Sequence, residues 1–368
     1  MSKVKFEDVA TRVNTREDKD NTSLLYYVGG DHIESGELVV HNRGLIEGST
    51  IGPMFYFGFK KGDILLVSRN PHLRKAAMVD FDGICSEKTF VLGTKNEKVL
   101  LQKYLAVIVQ TDSFWNYCEE HKSGGVNFFV NWSTLAKYEF DLPDIEEQRR
   151  ISDKVWAAYG VKESYRRLIK ATDEMVKSRF IVQFDSLKKT ALSEIAADWD
   201  KGQAFKKECI VNEGNTPCIH YGELFKCGPI IDTILSWTNE SPIKSSAKGD
   251  ILFPASDVTP NGLARCSALM SEGVLLGGDI IVLRLKSGFI PEFVSYAINM
   301  QKDQLIRRVT GSVVRHISAK SLNSVEIPIP AIADQKQFIS IIRQADKSKF
   351  ELKQTIEKID KVMRALLQ

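Results

Sequence analysis

Lys61-Gly62-Asp63-Ile64-Leu65 returns 187 positions later as Lys248-Gly249-Asp250-Ile251-Leu252. A glycine-aspartate turn feeding an apolar run reads as the entry to a buried strand, with the glycine taking the turn conformation. The same offset carries Gly124 onto Gly311, Leu135 onto Leu322, Phe140 onto Ile327 and Leu142 onto Ile329. It also carries Pro143-Asp144-Ile145-Glu146-Glu147-Gln148 onto Pro330-Ala331-Ile332-Ala333-Asp334-Gln335, and Asp173 onto Asp360. Near the start Glu7 falls on Glu194, although the stretches around 20–50 and 85–110 need insertions to align. One short match could arise by chance, whereas one offset held from residue 7 to 173 implies two tandem copies of one structural unit.

Each copy ends in a predicted helix. From Asp144 to Phe180 there is no proline and one glycine, Gly160, which is the place to expect a bend. Its inward positions step by four and three through Ile151, Val155, Ala158, Lys162, Tyr165, Ile169, Thr172, Val176 and Arg179. The second copy gives Phe338, Ile342, Ala345, Lys349, Leu352, Ile356, Ile359, Met363 and Leu366, with a lysine at the same step. A single stripe of this kind ordinarily lies on its own domain. Two matched stripes predict coiled-coil pairing, the lysines fixing register at some cost in stability. At ~1.5 Å per residue such a helix is a spacer roughly 55 Å long. If the second helix returns antiparallel, two globular domains sit at opposite ends of a rod with an approximate two-fold axis. They could then address one face of a DNA duplex about a helical turn (~34 Å) apart. The expected fold class is therefore α/β (α+β), in two tandem domains at 1–143 and 184–330, with long antiparallel helices at 144–183 and 331–368.

Composition fits two ordinary domains: 368 residues, 43% hydrophobic. The net charge of +3, from 50 Lys+Arg against 47 Asp+Glu, requires any nucleic-acid surface to arise by local segregation of charge. The first residues lack the apolar core of a signal peptide, and no run approaches the ~20 apolar residues of a membrane span, so a cytoplasmic location is expected. The six cysteines contain no C-x-x-C pair and read as free thiols. Cys209, Cys218 and Cys227 are evenly spaced but lack a fourth clustered ligand for zinc.

Both globular segments read as short strands followed by a helical stretch, 98–120 in the first and 291–309 in the second. Behind the motif strand of the first copy comes a polar, cationic loop with Ser68, Arg69, Asn70, Arg74 and Lys75; its counterpart carries Ser256 and Asn261, with Arg265 close behind. Loops held by a rigid strand are where recognition resides, and Arg, Asn and Ser are the side chains that read base edges or grip phosphates. A solvated charged loop explains the same residues equally well. Two further segments at equivalent positions join a helix end to a glycine turn with cations and small polar groups. One offers Lys122, Ser123 and Asn127; the other offers Arg308, Ser312, Arg315 and His316. Backbone N–H groups and charge can approach a phosphate together there, although helix C-termini favour Lys and Arg in any case.

Catalytic chemistry is missing. There is no phosphate-binding G-x-x-x-x-G-K-[ST] loop and no G-x-G-x-x-G fingerprint. Asn70-Pro71-His72 is not the patch with which amino-methyltransferases hold a flipped base. Asp112 with Glu120-His121-Lys122 imitates a metal-nuclease cluster, but the second copy keeps none of it. No catalytic, cofactor-binding or metal-binding residues are expected.

Asp141-Leu142-Pro143-Asp144-Ile145-Glu146-Glu147-Gln148-Arg149-Arg150-Ile151 runs into a helix that closes with Glu174-Met175-Val176-Lys177-Ser178-Arg179-Phe180. The second copy is Ile327-Pro328-Ile329-Pro330-Ala331-Ile332-Ala333-Asp334-Gln335-Lys336-Gln337-Phe338, with Thr310-Gly311-Ser312 as its lead-in. In these motifs the chain resembles the specificity subunits of type I restriction-modification systems. Ala333-Asp334 departs from the Glu146-Glu147 of the first copy. The resemblance implies a non-enzymatic subunit without cofactors, whose two target-recognition domains each read half of a split double-stranded DNA site. The helices would set the gap and dock two modification methyltransferase subunits, and through that complex the restriction translocase. The competing expectation from the residues alone is a protein-protein scaffold with a coiled-coil rod and no DNA affinity.

Overall fold

A computed structural model describes residues 2–367. They form two compact units of mixed α/β structure: the chain up to Arg167 together with the segment from Leu352 onward, and Leu168–Glu351.

In the first unit the motif strand Ile64–Val67 lies between strands Thr89–Thr94 and Ala76–Met78, antiparallel to both, with Ala10–Val13 beyond Thr89–Thr94. Its unbroken apolar run has a physical reason. Ile64 and Leu66 feed a core with Phe6, Leu105, Phe114 and Trp115, whereas Leu65 faces the opposite way into a second core with Val28, Phe57 and Phe59. A strand covered on both faces reads as continuous hydrophobic sequence. A second four-stranded sheet, ordered Gly44–Leu45, Tyr26–Val28, Gly83–Ser86, Phe55–Phe59, supplies the other side of that second core.

The second unit repeats the device. Strand Ile251–Pro254 pairs with Ile280–Leu285 and Ser267–Leu269; Ile251 and Phe253 face one core and Leu252 another. The turns before both motif strands need their glycines, at φ 96° for Gly62 and 91° for Gly249. Asp63 and Asp250 close those turns by accepting from the amides of Lys60 (2.7 Å) and Ala247 (2.9 Å). Burial pushes both carboxyl groups above their ordinary range.

Three local expectations are corrected. The stretch 98–120 is two helices, Gln102–Ile108 and Asp112–Glu120, because Thr111 caps the second by accepting from Phe114 N. The stretch 291–309 likewise divides into Pro291–Asn299 and Lys302–Ile306 at the non-helical Gln301. Glu194 matches Asp8 rather than Glu7: in the short helices Phe6–Val9 and Leu192–Ile195 the acid at the third position accepts from the amide before the helix, Lys5 N to Asp8 and Ala191 N to Glu194. The offset is one residue shorter there than in the rest of the chain.

The long helices are Ile145–Phe184 and Ile332–Leu366. Each is entered over a buried glutamine. Gln148 accepts from Leu101 N (3.0 Å) and donates to Val99 O and Pro143 O, while Gln335 donates to Pro330 O (2.8 Å). Gly160 interrupts nothing, and its carbonyl accepts from Ser164 Oγ at 2.8 Å within one continuous helix. In the first unit Val155, Tyr159 and Met363 are buried together, with Ile151, Ile359 and Leu366 against them. In the second, Val176, Phe180 and Phe184 share a core with Phe338, Ile342 and Ala345. Arg179 is exposed and Phe180 takes the inward position, its ring 5.6 Å from that of Phe338. Tyr165, Ile169, Thr172, Leu352 and Ile356 are half-buried. No helix among the described residues is long and apolar enough to cross a membrane.

Candidate nucleic-acid interface

The two polar segments that the sequence singles out separately are one ribbon in each unit. Beyond strand Ile64–Val67 the chain pairs with residues 128–130: Asn70 N donates to Phe128 O (2.8 Å) and Val130 N to Ser68 O (2.9 Å). Residues 123–129 form a hairpin closed by Ser123 N to Phe129 O (2.8 Å) and Phe129 N to Ser123 O (2.9 Å), with Gly124 at φ 99°. In the second unit Ser256–Asp257 pairs antiparallel with Arg315–His316, and Ile317 N donates to Ala255 O (3.1 Å). Thr310 and His316 exchange the closing bonds, both 2.9 Å, with Gly311 at φ 94°. A Cβ on Gly124 or Gly311 would press on the carbonyl of Asn127 or Val314 respectively.

The candidate side chains divide between those occupied by the fold and those left at the surface. Ser68 is buried and donates to Lys88 O (2.8 Å). Arg265 donates to the carbonyls of Leu224 and Phe225. Arg308 holds Gln304 O (2.6 Å) and the hydroxyl and carbonyl of Ser324. These three are committed to packing. Lys75 bonds Gly30 O (2.6 Å), Arg74 pairs with Asp112, and Arg315 donates to Gly311 O within its own hairpin. Lys122 pairs with Glu119 (2.7 Å) and lies 4.4 Å over the Phe128 ring. Arg69, Ser123, Asn127, Asn261, Ser312 and His316 are exposed, and Ser256 is half-buried. Asn70 and Arg74, at φ 50° and 49°, are the non-glycine residues in left-handed conformation among those described, and they bracket the single turn Pro71–Leu73. Arg69, Asn70, Lys75 and Lys88 line a cleft of about 500 Å³ beside that turn.

Sequence reasoning missed Glu37. It is 5% exposed and binds Lys162 Nζ (3.0 Å), both arms of Arg166 (2.8 Å) and the Tyr159 hydroxyl (3.0 Å). Burial alone would raise its pKa, but the Arg166 hydrogen bonds and the Lys162 charge outweigh that and hold the carboxyl below its usual range. Lys162 continues to Asp360 (2.8 Å), and His41 contacts the Tyr159 hydroxyl (2.8 Å) and Glu163 (3.4 Å). Glu37, His41 and Glu163 are close enough together to hold a metal ion, but Glu37 is already neutralised by two cations, which disfavours a third. A lone loop glutamate carries no sequence signal; the lysine at an inward helix position was the trace of it.

The thiols Cys209, Cys218 and Cys227 are free and form no metal-ligand group among the described residues; burial pushes Cys218 up to about 11. Asp112 and Glu120 stand at opposite ends of one helix and do not converge.

Residues 185–361 match the family model for the type I restriction modification DNA specificity domain. A protein of Methanocaldococcus jannaschii named as type I restriction enzyme MjaX specificity subunit is 25% identical over 266 residues, 65% of this chain and 60% of the relative. The matched part thus spans about 60% of that relative's length. Among solved structures, the type I restriction-modification S subunit from M. genitalium superposes with a TM-score of 0.59 at 15% identity, covering 100% of this chain and 94% of the other. A chain from a study of complex assembly and conformational transition of the type I R-M system gives 0.58 at 21% identity, covering 100% and 96%. These two likenesses concern the fold.

Proposed function

We propose, on the premise that this chain belongs with the type I restriction-modification specificity subunits, that it selects the DNA sequence on which such a complex acts. It carries out no reaction itself. Each globular domain reads one half of a split duplex site. The long helices run antiparallel as a coiled coil, fix the gap and dock two modification methyltransferase subunits, through which the restriction translocase is recruited.

One observation carries this reading. Both units hold the same ribbon, closed by equivalent hydrogen bonds at 123–129 and 310–316 and joined to the segment leaving the equivalent strand. The helix pairing has its own support, because Lys162 meets Asp360 and Lys349 meets Asp173. Under the 187-position offset these pairs exchange partners, so each unit repeats the same lysine–aspartate contact between the two helices.

The test is selection from a random duplex pool by the purified chain, alone and with a modification subunit, followed by sequencing of the retained DNA. Enrichment of a split motif with a fixed gap supports the reading. No enrichment under either condition favours a scaffold that binds proteins alone.

A further inference from the structure

The two hairpins have a property that their polar side chains do not explain. At the same step of each, Val126 and Val313 project into solvent, 94% and 81% exposed. An exposed valine is ordinary by itself. Two at equivalent apices, each displayed by a positive-φ glycine and a pair of closing hydrogen bonds, are a repeated feature that contributes nothing to the packing of either unit.

The surroundings identify the partner. There is no Asp or Glu from His121 to Tyr138 or from Gln304 to Val325. The first stretch holds Lys122 and Lys137, and the second holds Arg307, Arg308, Arg315 and Lys320. Acids do approach from outside these stretches, Glu119 on Lys122 and Asp257 opposite Arg315, but the hairpins themselves hold none. An apolar tip on such a hairpin suits a partner that is polyanionic outside and apolar within, which describes the groove of a duplex. The major groove admits a two-stranded ribbon, and the apolar group it displays is the thymine methyl.

Building on the function proposed above, we infer that Val126 and Val313 are specificity-determining residues that contact base edges in the major groove, one in each half of the site. Asn127 follows one tip and Val314 the other, so the two tips present different chemistry to their half-sites.

The experiment compares the unaltered chain with Val126→Ser and Val313→Ser, each in complex with a modification subunit, by random-pool selection and by binding at several salt concentrations. Each variant is expected to lose preference, by about fivefold or more, at one or two adjacent base pairs of its own half-site. The other positions, the salt slope and the melting temperature should not change, because neither valine packs against its own unit. Unchanged preference at every position overturns the inference, and so does a uniform fall in affinity. Loss of methyltransferase association with base preference intact assigns the tips to a protein contact and also overturns it. If the unaltered chain enriches no motif, the proposed function fails first and the inference falls with it.

Discussion

Lys162 Nζ lies 2.8 Å from the carboxylate of Asp360, joining the two long helices within the first unit. Its counterpart Lys349 meets Asp173 at 2.6 Å in the second. The surroundings differ: the Lys162 side chain is 4% exposed and shared with buried Glu37, whereas Lys349 is 22% exposed and its partner 58%.

Two residues at one repeat position should therefore respond differently to substitution. Lys162→Ala leaves Glu37 short of a cation in a buried setting and is expected to cost about 3–5 kcal/mol. Lys349→Ala removes a surface pair and should cost about 0–1 kcal/mol. Urea unfolding measures both. Equal losses would show that the Glu37 cluster adds nothing to the inter-helix pair.

Acid should act through Glu37. Its carboxyl is depressed on folding, so its contribution is complete above the unfolded carboxyl value (~4.3) and is lost as pH falls through the lower folded value. Melting temperature followed downward from pH 5 should drop less steeply in Glu37→Gln than in the unaltered chain. Lys349 has the opposite sign. Burial lowers its pKa, but the hydrogen bonds to Asp173 and Asp346 outweigh that and leave it raised, so its contribution fades only above the unfolded lysine value of about 10.4.

Arg69 and Arg315 sit on the ribbons, and replacing either by alanine is expected to weaken DNA binding and reduce the salt slope by about one phosphate contact. Arg308→Ala should leave the slope unchanged and lower the melting temperature, since its three hydrogen bonds hold the segment before the hairpin to Ser324 and Gln304. Reversed outcomes would exchange the roles assigned to the two classes of arginine.

Gly124→Ala and Gly311→Ala place a Cβ against a carbonyl in a left-handed conformation, costing about 1–2 kcal/mol each. Amide hydrogen exchange should rise within the affected hairpin and not in the other unit, with loss of DNA binding in parallel. Wild-type protection in the variants would show that the hairpins tolerate a right-handed turn.

Much of the architecture is written in local pattern. The continuous apolar runs at 64–67 and 251–254 announce strands buried on both faces, and the glycines ahead of them announce turns that other residues strain to make. The proline-free runs into which Gln148 and Gln335 lead are helices because nothing in them breaks one. Periodicity located the inward faces within a residue; at Arg179 it failed because the aromatic cluster around Phe338 draws Phe180 inward instead.

What tertiary structure alone decided is the company each residue keeps. Nothing in the sequence says that Arg308 is spent on Ser324 and Gln304 while Arg69 stays exposed on a ribbon, because both are cations in polar segments beside a turn. Nothing marks Glu37 as the anion beneath Lys162 and Arg166, 125 and 129 positions away. Periodicity and turn chemistry are local and survive in a string of letters. Which carbonyl a guanidinium reaches, and which carboxylate loses its water, depend on segments brought together only when the chain folds.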